Sequence, residues 1–155
     1  MVSNKYIPKS QLRKKIIVGW REWVDLPELK INKIKAKIDT GARTSTLHAF
    51  NIESFRVAGG KYKIKFQVNP IQHNNNCILL CEADILDRRD VKNSGGEIEN
   101  RYIINTTLSM GNNSWPIELT LTNRDSMGFR LLLGRTAFNK KFLINPNKSF
   151  LIKTK

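Results

Sequence analysis

KIDTGARTS, residues 37 to 45, is where a strand runs into an acid. Upstream, Ile34, Ala36 and Ile38 alternate with Lys35 and Lys37, the period of a strand with one buried face. Asp39 and Gly41 then arrive together. Aspartate is depleted in strands and glycine weakens them, so the strand ends in a tight turn that presents Asp39 at its mouth. An Asp-Thr-Gly triplet of this kind is either a solvated turn or a catalytic carboxylate placed on a rigid strand end. The rest of the chain decides between them.

Working outward, the chain is a series of short strands. KIIVGW (15–20), NIESFRVA (51–58), KYKIKFQV (61–68), CILLCEADIL (77–86), RYIINTTLSM (101–110), SWPIELTLTN (114–123) and FRLLLG (129–134) are each bounded by turn signals. Gly59-Gly60 supplies the positive φ of a hairpin turn. Leu131, Leu132 and Leu133 do not alternate, as expected for a strand buried on both faces. DRRDVKNSGGEIEN (87–100) reads as a charged loop around Gly95-Gly96, RTAFNKK (135–141) as one short helix, and FLINPNKSFLI (142–152) as a last hairpin. So many short strands with almost no helix predict an all-β fold, a single closed or partly closed barrel with one short C-terminal helix.

At 155 residues this is one domain, expected over 15–155, behind a flexible basic arm at 1–14 that is interrupted by Pro8. The net charge is +14, with Lys and Arg (27) outnumbering Asp and Glu (13) along the whole length, so the expected partner is acidic. Two cysteines four residues apart cannot build a disulfide framework. With no signal-like apolar stretch and no run long enough to span a membrane, the expected location is the cytoplasm.

DTGA (Asp39 to Ala42) after a strand, together with LLLGR (Leu131 to Arg135) late in the chain, resembles the retropepsins, the single-domain aspartic proteases. IKAKIDTGARTSTLHA, SWPIELTLTNRDSMGFRLLLGR and FLINPNKSFLI are similar to the bacterial retropepsin-like family also labelled ATP-dependent zinc proteases. The resemblance implies that Asp39, Thr40 and Gly41 form the catalytic loop and that Leu133 and Gly134 pack beneath it, with Arg135 as a brace. It also implies peptide hydrolysis by two carboxylates sharing one proton. This chain has one such aspartate. The second would come from a two-fold mate, making a homodimer, or from within the chain, where Asp125 is the first candidate.

Where viral retropepsins carry an acid after DTGA, this chain has Arg43, and a cation there favours an ionised Asp39. Some bacterial members are associated with trimming oligo-α-glutamate tails, so the resemblance implies a glutamate-rich protein tail or other acidic peptide as substrate. The basic charge points the same way, because guanidinium groups grip carboxylates in bidentate fashion. Arg43, Arg101 and Arg124 are candidate carboxylate binders, and Ser45 and His48 follow the Asp loop closely enough to line its cleft.

No cofactor is expected. A metal site from His48, His73, Cys77 and Cys81 can be drawn, but on a strand the two cysteines stand about 13 Å apart, too far for one ion. Buried core thiols account for them better. The Gly59-Gly60 hairpin and the KNSGGE loop are both candidate covers for the site. The alternative reading is a basic β-barrel that binds RNA, a ribosomal surface or an acidic peptide without cutting it. Lys61, Lys63 and Lys65 give it a basic face, and Tyr62 and Phe66 on the other side are expected in the core.

Overall fold

The computed structural model describes residues 15–93, 95–124 and 128–153. The arm expected at 1–14 and the candidate acid Asp125 lie outside them. The strands are β1 (Ile16–Gly19), β2 (Arg21–Leu26), β3 (Ile31–Ile38), β4 (Ser45–His48), β5 (Phe50–Arg56) and β6 (Tyr62–Val68). They continue with β7 (Leu79–Asp84), β8 (Asp87–Lys92), β9 (Ile98–Met110), β10 (Asn113–Thr122), β11 (Leu131–Leu133) and β12 (Phe142–Asn145).

Six strands pair in the order β10-β4-β11-β3-β2-β9, and β9 returns to β10, which closes the barrel. β8 adds to the free part of the long β9. β5, β6 and β7 form a separate antiparallel sheet, and β1 pairs in parallel with β12. The all-β barrel expected from the sequence is the observed fold.

The alternation around Asp39 is what turns the barrel's apolar side inward. Ile34, Ala36 and Ile38 of β3 are buried with Val24, Leu47, Leu119, Leu131 and Leu133 of its neighbours. Ile64, Phe66, Val68 and Cys81 of the second sheet join the same core. Each such aliphatic side chain contributes roughly 1.5–3 kcal/mol on burial. β11 pairs in parallel with β3 and antiparallel with β4, so it is central. That is why its three leucines need not alternate.

Glu22 is a carboxylate inside this fold. It is fully buried and accepts the backbone N–H groups of Gly19 (2.7 Å), Leu151 (2.9 Å) and Ile152 (3.0 Å). It therefore ties the C-terminal segment to the turn between β1 and β2.

Three local expectations are corrected. RTAFNKK forms a single 3-10 turn, Arg135–Ala137, rather than a helix, because Asn139 and the start of β12 take over at once. The last hairpin is absent: after the Asn145 turn the chain bonds to Arg21 and Glu22 of β2 instead of returning along β12. DRRDVK is strand β8, not loop, paired with β9 over Asp87 to Lys92. Among the described residues no helix is long and apolar enough to cross a membrane.

Candidate active site

Asp39 follows the last residue of β3, and its N–H donates to the Leu133 carbonyl at 2.8 Å, extending the β3–β11 pairing to the acid itself. The chain then turns, Ala42 N–H donating to Asp39 O at 3.2 Å. Gly41 N–H donates to Asp39 Oδ1 at 3.1 Å and so orients the carboxylate. The strand fixes the backbone, and the turn fixes the side chain.

Residues 134–136 hold the loop from below. Arg135 N–H donates to Ala42 O (2.8 Å), and Thr136 donates to Arg43 O through both its N–H (3.0 Å) and its Oγ1 (2.8 Å). Arg135 Nη1 donates to Thr40 O at 3.0 Å. Gly134 lies directly against the Arg43–Thr44 backbone, with no room for a side chain. Its N–H donates to Ser45 Oγ at 3.1 Å. The LLLG strand and the Asp loop are thus one rigid unit.

Above it opens a cleft of about 990 Å³, walled by Asp39, Gly41, Arg43, Thr46 and Leu132. Arg89, Asp90, Lys92, Arg101, Glu118 and Arg124, from β8, β9, β10 and the segment after β10, complete the lining. The β8–β9 hairpin is therefore the element over the site. The Gly59-Gly60 hairpin belongs to the second sheet and does not line the cleft.

Glu99 organises the arginines of the cleft. Its Oε2 accepts Arg101 Nε at 3.0 Å and Thr122 Oγ1 at 2.9 Å, while Oε1 accepts Asn93 Nδ2 at 3.2 Å and lies 3.9 Å from Arg124 Nε. Burial alone would raise its pKa, but the bonds from Asn93, Thr122 and Arg101 outweigh that and hold it below the ordinary glutamate range. Arg101 is itself buried and also reaches Thr46 Oγ1 at 3.4 Å. Arg89 pairs with Glu118 (2.8 Å) and Asp87 (2.9 Å), raising its own pKa and lowering that of Asp87. Arg43 is exposed and has no carboxylate partner among the described residues. It lines the cleft with no counter-charge in hand.

Residues 17–155 match the RimB-like family, described as the retropepsin-like aspartic endopeptidase RimB. This chain belongs to that family. A protein from Shewanella halifaxensis named "Probable alpha-L-glutamate ligase" is 48% identical over 138 residues, 89% of this chain and 30% of that protein. One of the same name from Parasynechococcus marenigrum is 47% identical over 138 residues, 89% of this chain and 29% of its own length. The chain thus spans about a third or less of the curated relatives it matches. The crystal structure of Lpg0085, a Legionella pneumophila protein of unknown function, superposes with a TM-score of 0.72. At 24% identity, over 87% of this chain and 96% of that one, it shares the fold.

Within this retropepsin-like frame the structure brings Asp39, Gly41, Arg43, Arg101 and Arg124 to one cleft. Thr40 offers its carbonyl to Arg135 and faces outward. Ser45 and His48 are not cleft residues. All four residues of β4 are buried: Ser45 Oγ holds Gly134, and His48 Nδ1 accepts the Arg124 N–H at 3.1 Å. Both are supports, His48 for the backbone that carries Arg124.

Cys81 is buried and donates to Leu29 O at 3.4 Å, its thiol pushed up to about 11 by burial, whereas Cys77 lies before β7 and is only half-buried. Among the described residues no three of His, Cys, Asp and Glu cluster so as to hold a metal ion. Lys61 and Lys63 pair with Asp84, and Lys65 with Glu53, so that face is largely neutralised. Tyr62, expected in the core with Phe66, is 55% exposed, because it stands at the open end of β6 beyond the core.

Arg89, Asp90, Lys92, Glu99 and Glu118 escaped the sequence reading. The available signal was the KNSGGE turn: a hairpin covering a site brings its flanking strands with it.

Proposed function

We propose that the cleft hydrolyses peptide bonds in acidic, glutamate-rich peptides, with Asp39 activating the attacking water. The observation that carries this is the company Asp39 keeps. Five cations (Arg43, Arg89, Lys92, Arg101, Arg124) and three acids (Asp39, Asp90, Glu118) line one cleft around a carboxylate fixed by its own loop. Membership of a retropepsin-like aspartic endopeptidase family supports the reaction type. The relatives named as probable alpha-L-glutamate ligases support the substrate class, since a matching segment on the same polypeptide would meet glutamate chains.

In this reaction the ionised carboxylate takes a proton from water as it attacks, and a second, protonated carboxyl group polarises the scissile carbonyl. Arg43, Arg124 and Arg101 receive substrate carboxylates, Arg43 first because it has none of its own. The second carboxyl group comes from Asp39 of a two-fold mate. Mixing in Asp39→Asn chains then silences wild-type chains. An active monomer would instead assign that role to Asp90, which lines the same cleft and, among the described residues, is engaged only by the neutral Asn100.

The test is to incubate the protein with oligoglutamate and with a neutral peptide of equal length and to follow new amino termini by mass spectrometry. Oligoglutamate is cut preferentially, and Arg43→Ala raises KM about tenfold with little change in kcat, a loss of binding common to ground and transition states. Equal cleavage of both peptides, or of neither, contradicts the proposal.

A further inference from the structure

Outside the cleft, the outward face of β2 and β3 carries a row of cations that the proposed reaction does not use. The register sets Arg21 opposite Lys37 and Trp23 opposite Lys35. Glu22, Val24, Ile34, Ala36 and Ile38 fill the inward positions, so Arg21, Trp23, Lys33, Lys35 and Lys37 face out. Trp23 stacks on Phe150 at 5.7 Å and 17°, and Lys33 Nζ and Lys35 Nζ lie 4.7 and 5.2 Å from its centroid. The Arg21 guanidinium lies 4.6 Å from the Trp20 ring centre and 5.0 Å from that of Phe150. An aromatic floor fixes these cations in place.

Four neighbouring cations stand here without counter-charge among the described residues. Lys61, Lys63, Lys65, Arg89 and Arg101 each have a carboxylate partner. Among the described residues none of Arg21, Lys33, Lys35 and Lys37 has one. Asp25, at the far end of β2, is the only carboxylate on the outward side of either strand. Like charges held side by side repel, and an anion laid along them relieves that.

We propose that this face is a second binding site for an extended acidic peptide, the part of a glutamate-rich substrate lying beyond the cleft. Only the identity of the peptide rests on the cleavage reading. The row begins at the cleft edge: Lys37 is paired with Leu132 of the cleft wall and precedes Asp39 by two residues. Lys33, Lys35 and Lys37 recur every second residue, about 6.7 Å apart, which is the repeat of like-facing carboxylates on an extended peptide. Phosphates of a nucleic acid could follow the same row. Trp23, however, is already stacked on Phe150 and capped by two ammonium groups, so little ring is left for a base, and the continuity with the cleft favours the peptide.

Binding is measured on the Asp39→Asn chain by fluorescence anisotropy, at low salt, with labelled oligoglutamates of about four and about twelve residues, the longer spanning about 40 Å when extended. Three surface pairs at the usual strength predict that the longer peptide binds about tenfold more tightly. The double variant Lys33→Glu/Lys37→Glu removes that advantage and leaves the short peptide unchanged, whereas Lys61→Gln/Lys63→Gln changes neither. An unaltered length advantage in Lys33→Glu/Lys37→Glu, or an equal loss for both peptides, overturns the proposal. So does oligouridylate binding that depends on these lysines and outcompetes the long peptide. Wild-type cleavage of the short peptide is scored separately: cleavage without a length advantage contradicts this site alone, and a lysine-dependent length advantage without cleavage contradicts the proposed reaction alone.

Discussion

A Cβ on Gly134 would stand 2.6 Å from the carbonyl oxygen of Thr44, closer than any relaxed contact permits. The glycine is what lets β11 lie directly beneath the loop that carries Asp39. Gly134→Ala must push backbone against backbone, since neither the Thr44 carbonyl nor the Arg43 carbon beside it can swing away. Thermal or urea unfolding shows a loss of about 1–3 kcal/mol, the usual cost of overpacking, together with loss of cleavage. Gly128→Ala, where an added Cβ meets nothing within 4 Å, stays within about 0.5 kcal/mol of wild type.

Glu22 makes a prediction about the fold alone. Its carboxylate satisfies three backbone N–H groups from inside the protein, and Glu22→Gln leaves one of its two acceptor positions as a donor facing other donors. Urea unfolding registers a loss of about 2–4 kcal/mol, and the amides of Leu151 and Ile152 lose hydrogen-exchange protection first. An unchanged midpoint would mean that the C-terminal segment is held by something else.

These two sites show what a sequence can and cannot announce. Asp39 was legible because it sits where a local rule breaks, an acid and a glycine ending an alternating strand, whereas Gly134 and Arg135 stood out only through the family resemblance that LLLGR carries. β8 was not legible, since five of its six residues are charged and exposed, so no hydrophobic period marks a strand that only edges the sheet. Ser45 and His48 were read as cleft residues from nearness in sequence. β4, however, is a central strand paired with β10 on one side and β11 on the other, and all four of its residues are buried, polar ones included. Glu22 and Glu99 act on residues far from them in the chain, and composition carries no trace of such contacts.

Glu99 predicts a dependence on pH. Its carboxyl is held below the ordinary glutamate value of 4.5, so the stability it contributes is complete above that value and is lost as pH falls through the lowered one. Glu99→Gln is therefore less stable than wild type at neutral pH, by about 1 kcal/mol, and the gap between their melting temperatures narrows below pH 4.5. A constant gap across that window would show that the pairing with Arg101 carries no charge-dependent stability.

The central claim is that the Asp39 carboxylate activates water, and its most direct test is the rate of oligoglutamate cleavage by Asp39→Asn. Asparagine keeps the shape of the side chain and an oxygen for the Gly41 N–H, so the loop and the fold remain. The basicity is gone. The account predicts a fall in kcat of at least about a hundredfold with an unchanged melting temperature and undiminished binding of the peptide. Cleavage by Asp39→Asn at the wild-type rate would contradict it.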